Sequence, residues 1–282
     1  MKPSLTRRTF LSELRVLWAF NVREFITYIR YPLDPIFDLI NEPLYIINWL
    51  LIGLFYVGAP ISQNLLTIAG TGDYISYLFL GGVLMSIGRG AVDTVGSSLR
   101  TEMRTGTLES CWIAPISRFT LLTGRIVLNL IFIMLFNLIN GILIHVIFNP
   151  TWHLDWAALL VILILTLISN YSFGLLMGGI VVVFKEVWSF RQMFMSVLWI
   201  LAGALFPVEV LPHWAQLLSY LVPYYYSLRD FRAVILKGAT LLELSNDLFL
   251  LLLFSIVSLV LSYTLFKRLE RVAKRRGTIG LY

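Results

Sequence analysis

The chain has 282 residues, of which 58% are hydrophobic and 13% charged, against roughly 45–50% and about 25% in an average soluble domain. The apolar residues gather in blocks of about 20, the length of a helix that crosses a bilayer, which excludes water as the main solvent and predicts an all-α membrane protein. The net charge of +6 does not call for nucleic acid, because the basic residues cluster where apolar blocks end, and the lone Cys111 excludes an intrachain disulfide.

The first 30 residues carry Lys2, Arg7, Arg8, Arg15, Arg23 and Arg30 and no uninterrupted apolar run, unlike a cleavable signal peptide. Within 5–30, Phe10, Leu14, Leu17, Trp18, Phe25 and Ile29 recur at helical spacing while Arg8, Arg15, Arg23 and Glu24 take other faces. That pattern predicts an amphipathic helix lying along the membrane surface, its basic groups within reach of anionic lipid head groups. Tyr31-Pro32 ends it, since proline disfavours helix at the residue before it.

Six apolar blocks follow, at 36–57, 74–97, 120–148, 157–184, 187–207 and 246–266, each expected to be a helix because backbone groups in lipid must pair internally. The fifth is the weakest, since its clean apolar part is short and it needs the stretch around Arg191 to reach across. In the first block, Asp34, Asp38, Asn41 and Glu42 lie near one helical face; Glu42, before Pro43, is the deepest and a candidate for an inner polar path. In the second, Arg89 and Asp93 are one turn apart, a spacing that allows an ion pair on one face, either a structural pair or part of an inner gate. Asn129, Asn137 and Asn140 in the third block and Ser169, Asn170 and Ser172 in the fourth offer bonds between helices, and Gly174, Gly178 and Gly179 offer close packing.

Basic residues orient the spans. Six precede the first span, four follow the second, two follow the fourth and six lie in the tail, whereas only Arg229, Arg232 and Lys237 fall in 208–245 and none in 58–73 or 149–156. The positive-inside rule then places both termini in the cytoplasm.

The loop at 100–117 reads Arg100-Thr-Glu102-Met-Arg104-Thr-Gly106-Thr107-Leu108-Glu109-Ser-Cys-Trp-Ile-Ala-Pro115-Ile-Ser117. Gly106 can supply an unusual backbone angle, Thr107 can cap a short helix and Pro115 can end it, leaving Leu108, Trp112 and Ile113 on one apolar face. Such a helix suits a groove on a soluble partner, although an ordinary solvated loop accounts for it equally well. The pattern Glu102-x-x-x-Gly106-Thr107-Leu108-Glu109, followed by Pro115 and by Gly124-Arg125, resembles the hallmark loop of type-2 ABC export permeases. The amphipathic first helix, the six-span layout and the segment before the last span extend that resemblance over nearly the whole chain. It implies that Glu102, Arg104, Gly106, Thr107, Leu108, Glu109 and Pro115 form the coupling loop that contacts a nucleotide-binding subunit.

Between the fifth and sixth blocks, Phe206-Pro207, Pro212-His213-Trp214 and Pro223-Tyr224-Tyr225-Tyr226 cut the chain into pieces too short to span. Tryptophan and tyrosine favour the membrane interface, so an aromatic belt is one reading. The resemblance implies the other, short re-entrant helices over 208–237 that cap the path from outside, with Phe206, Pro207, Pro212 and Pro223 as outer-gate architecture.

No Gly-x-x-x-x-Gly-Lys-Ser/Thr stretch is present to build an ATP site, and His145, His153 and His213 are scattered without a metal-binding spacing. The chain is therefore expected to be a single permease domain, 1–282, with no cofactor of its own, ATP and Mg²⁺ being bound by a separate ATPase. The resemblance implies two such ATPase subunits and a second permease copy, more readily a homodimer, in a bacterial or archaeal cytoplasmic membrane. The expected cargo is a hydrophobic drug-like or lipid-linked compound, with a polysaccharide or glycolipid as the alternative. An ATP-independent transporter or channel is the competing class, and it would show ionisable groups at mid-membrane or an internal repeat.

Overall fold

The computed structural model describes residues 10–33, 62–104, 126–184 and 188–275, together with Ile36, Phe37, Leu44, Ile47, Asn48, Leu51, Phe55, Gly106, Ser117, Thr120 and Gly124. The described part is built from helices and turns. In chain order they are α1 (Phe10–Arg30), α2 (Gln63–Ala69), α3 (Tyr74–Arg104), α4 (Ile126–Phe148), α5 (Trp156–Phe184), α6 (Trp188–Leu201), a 3₁₀ turn (Val208–Val210), α7 (His213–Ser219), α8 (Pro223–Lys237) and α9 (Ser245–Arg275). In the first apolar block, the described residues from Ile36 to Phe55 are all helical and exposed.

Local chemistry sets the helix ends. The Asp73 carboxylate accepts from the Ser76 amide at the start of α3, at 2.9 Å, and Asp155 accepts from the Ala157 and Ala158 amides at the start of α5, at 3.0 and 3.2 Å. Pro207, Pro212 and Pro223 each sit at the start of a short helix, where a fixed φ and a missing N–H cost least. Two helices outrun their apolar blocks. α3 continues to Arg104, since no glycine or proline follows Gly96 before Gly106, and α9 continues to Arg275 through a run of good helix formers after Phe266. α6 instead falls short of the expected 187–207. Its 14 residues span about 21 Å at about 1.5 Å per residue, less than a hydrocarbon core of about 30 Å. The chain breaks at Ala202-Gly203, where Gly203 takes φ +71°, a left-handed conformation that suits glycine.

Four helices, α3, α4, α5 and α9, contain segments long and apolar enough to cross a membrane. α3 is central, with 89% of its most apolar window inside the fold, against 17% for α4 and for α9. α5 packs between α3 and α9, and α8 rests on α5, α9 and α3. Leu84, Met85 and Val92 of α3 meet Ile162 and Met177 of α5 and Leu228 and Val234 of α8 in the core. α4 and α9 turn most of their apolar surface outward, the arrangement of a multi-pass membrane protein.

In lipid the hydrophobic effect gives no driving force between helices, so close packing and polar pairs must hold them together. A Cβ at Gly174 would stand 2.7 Å from Val95 Cβ, and one at Gly179 would stand 3.0 Å from Leu269. Polar side chains bridge neighbouring helices: Asn137 Nδ2 donates to Ser86 Oγ at 2.8 Å, Ser169 and Ser255 share a 2.7 Å bond, Thr166 donates to Ser227 at 2.9 Å, and Asn129 donates to Thr94.

Candidate functional site

α1 is bound along one side to the stretch between α3 and α4. The Glu13 carboxylate accepts from the Ser117 amide at 3.0 and 3.2 Å and from the Thr120 hydroxyl. Asn21 uses both ends of its amide, donating to the Gly124 carbonyl at 2.7 Å and accepting from the Leu128 amide at 2.9 Å. Arg23 donates to Glu102 at 2.7 Å, a charge-assisted bond to a residue only 1% exposed. Tyr28 meets Phe132 edge to face at 5.0 Å, and Phe20 lies over Gly124, where a Cβ would be 2.7 Å from its ring. Leu11, Leu14, Trp18, Phe25 and Ile29 remain exposed, an apolar stripe at helical spacing suited to the bilayer interface. Burial pushes the Glu24 carboxyl above its ordinary range; the Arg23 cation opposes the shift and the Glu102 charge adds to it.

Of the candidate coupling residues, Glu102 thus faces inward to α1. Arg104 is the last residue of α3. Gly106 is exposed at φ +69°, with open space where a Cβ would stand. Thr107, Leu108, Glu109 and Pro115 lie outside the described residues, as does Glu42.

At the same end of α3, Asp93 forms an ion pair with Arg191 of α6, whose side chain is 13% exposed. Arg89 is half-buried one turn before Asp93. Beside them the fully buried Tyr224 fills the space left by Gly88 and stacks on Phe173 at 6.2 Å. The Asp93–Arg191 pair therefore joins α3 to α6 near the place where α8 begins.

The other end of α3 meets the proline-rich segment. Phe206 is half-buried, Pro207 and Pro223 are buried, and Pro212 is exposed. Arg232 of α8 reaches into the break after α6. Its Nη1 donates to the Gly203 carbonyl at 2.8 Å, its Nη2 to the Ala204 and Tyr77 carbonyls at 2.6 and 2.9 Å, and its Nε to Tyr77 at 3.2 Å. The guanidinium also lies 3.4 Å from the centre of the Tyr77 ring. Burial lowers Arg232 to about 10, which leaves it cationic at neutral pH. A cavity of about 520 Å³ opens here, lined among others by Arg232, Glu209, Tyr225 and Lys237, and by Arg229 and Asp247, which pair at 3.2 Å. Burial, and then the Asp247 charge, push the Asp230 carboxyl up to about 8 against the pull of Arg229.

Sequence reasoning missed the partners: Glu13, Asn21 and Arg23 for the loop, Arg191 for Asp93, and Arg232 for the break. Only Arg191 left a usable signal, as a lone cation in an apolar block that needs an acid on a neighbouring helix. The contacts of α1 join residues about 100 positions apart, which periodicity cannot pair. Among the described residues, no group of three or more His, Cys, Asp or Glu side chains could hold a metal.

No curated protein matches the chain. The sequence model of the ABC-2 type transporter family matches residues 15–236, from within α1 to the end of α8. That match takes in Asn21 and Arg23 of α1, the stretch after α3 and the segment pinned by Arg232, and it covers well over half of the sequence. The chain belongs to the ABC-2 type transporter family, as the membrane permease component of an ABC transporter.

Proposed function

We propose that this permease is an exporter that accepts work at residues 100–117 from a separate ATPase binding ATP and Mg²⁺. Two copies of the chain form the path and two ATPase subunits drive it. Each copy crosses a bacterial or archaeal cytoplasmic membrane six times, with the 36–57 block and the α6 region completing the four apolar helices and both termini in the cytoplasm. Arg104, Gly106, Thr107, Leu108, Glu109 and Pro115 meet the ATPase, while Glu102 holds the loop to α1. Glu42, Arg89 and Asp93 belong to the inner gate, and Phe206, Pro207, Pro212 and Pro223 to the outer one.

The observation that carries this reading is the strap of Glu13, Asn21 and Arg23 onto Ser117, Gly124, Leu128 and Glu102. Glu102 on one side of the stretch and Ser117, Gly124 and Leu128 on the other are bonded to the same helix. A push delivered there then displaces the Arg104 end of α3 and the start of α4 together.

The cargo is a hydrophobic drug-like or lipid-linked compound. Supporting this is an apolar cleft of about 680 Å³ among α3, α4, α5 and α8, lined by residues such as Phe79, Val83, Met134, Leu138 and Leu163. Its size falls within the range of small-molecule sites, about 300–1,000 Å³.

The test is to co-express the permease with candidate ATP-binding cassette ATPase subunits, reconstitute the complex in lipid and measure ATP hydrolysis against drugs, lipids and glycans. Stimulation by apolar compounds, abolished by Glu109→Arg, is expected. Stimulation by glycans alone would overturn the cargo assignment. Failure to form a complex, with transport unchanged in Glu109→Arg, would overturn the coupling assignment.

A further inference from the structure

α6 ends at Leu201, and its last turn is closed by the Ala202, Gly203 and Ala204 amides, which donate to the Leu198, Ile200 and Trp199 carbonyls. Just past that end, Gly203 and Ala204 direct their own carbonyls at the Arg232 guanidinium, and Tyr77, in the first turn of α3, directs a third. Arg232 is 7% exposed, and among the described residues no carboxylate pairs with it. Its charge is therefore held by main-chain dipoles and by the Tyr77 ring. Lysine cannot reproduce this hold, because only a planar fork reaches three carbonyls from two elements at once.

Gly81, one turn after Tyr77, keeps the site open. A Cβ there would clash with the Ala204 carbonyl oxygen and would stand 2.6 Å from the guanidinium. The guanidinium also borders the cavity of about 520 Å³ that separates α2, α8 and the start of α9. The 202–207 segment is thus held by Arg232 and borders the same cavity, which gives it space to move into.

We propose that Arg232 is a positioning residue of the outer gate, clamping the 202–205 segment to the start of α3 in a closed state and releasing the Gly203 and Ala204 carbonyls when the path opens outward. This rests on the reading of 206–223 as the outer gate. A purely structural staple would hold the same bonds in every state, whereas a gate clamp must let go once per transport cycle.

The experiment uses the full complex with its ATPase in lipid nanodiscs, in a Cys111→Ser background carrying Val208→Cys as reporter. Val208 is 4% exposed and lines the cavity, so a membrane-impermeant maleimide reads opening. In the background complex, ATP with vanadate should raise the labelling rate about tenfold. With Arg232→Lys or Gly81→Ala the rate should already be high without nucleotide and change less than about twofold on its addition. Slow labelling in both variants, with the background's full response to nucleotide, would overturn the clamp while leaving the gate. No response in the background would overturn the gate and the clamp with it. If neither variant assembles, hydrogen exchange of the 202–211 amides in the unmutated complex decides: faster exchange with ATP and vanadate is expected, and unchanged exchange would overturn the proposal.

Discussion

Arg23→Met should destabilise the permease more than Glu102→Gln, although the two residues share one bond. Glu102 is 1% exposed and Arg23 lies 2.7 Å away with its side chain 46% exposed. Removing one partner of a fully buried pair costs about 3–5 kcal/mol because a buried charge loses its bond, whereas an exposed pair contributes about 0–1 kcal/mol. A buried acid facing a half-exposed base lies between these limits, so Arg23→Met should cost about 2 kcal/mol. Glu102→Gln removes the charge along with the charge-assisted bond and should cost about 1 kcal/mol. The double variant Arg23→Met/Glu102→Gln should then fall about 1 kcal/mol short of the sum of the two. Thermal and denaturant unfolding of the purified protein in a single detergent, over the full cycle of four proteins, measures this coupling. Strict additivity, or an Arg23→Met loss smaller than that of Glu102→Gln, would refute the picture of Glu102 as a buried carboxylate held by α1.

Three further outcomes follow from single contacts. Asp230 is raised to about 8 in the fold from an ordinary 3.8, so its neutral form contributes stability that is complete below about pH 4 and lost as pH rises through about 8. Asp230→Asn should therefore flatten the unfolding profile over that window in detergent, and an unchanged slope would contradict the burial beside Asp247. Gly174→Leu should drive a side chain into Val95, 2.7 Å from the Cβ position, and cost at least about 1–3 kcal/mol; a paired Val95→Ala change should recover part of the loss in the same unfolding assay. Arg191→Met should leave the half-buried Asp93 without its bond to α6 and lower transport-coupled ATP hydrolysis more than Arg191→Met/Asp93→Asn does, as measured in reconstituted vesicles.

Much of the helical layout is legible in the sequence because an apolar block in lipid has few alternatives to a helix. α5 begins at Trp156 and ends at Phe184, beside the expected 157–184, and α3 begins at Tyr74 as the pattern indicates. The ends that moved have local reasons: a helix-forming run after Phe266, an uninterrupted stretch after Gly96, and a left-handed Gly203 that stops α6 before Pro207. Partners were far less legible. Periodicity assigns Glu13 and Arg23 to faces of α1, but the identity of what they meet depends on how α1 lies across the bundle, a tertiary fact with no local signature. Arg89 lies one turn from Asp93 in sequence, whereas Arg191 meets Asp93 from another helix, and that pairing has no local signature. Arg232 escaped for a different reason: its partners are main-chain carbonyls of Gly203, Ala204 and Tyr77, and no residue type announces a carbonyl in need of a donor.

Residues 100–117 are the proposed place where an ATPase hands its work to this chain. A photo-crosslinking residue at Glu109, compared with the same residue at Glu209 in the assembled complex, tests that placement most directly. The expected result is a covalent adduct between permease and ATPase from position 109 that changes in yield with nucleotide, and none from position 209. Equal adducts from both positions, or an adduct from neither in a complex that still hydrolyses ATP, would contradict it.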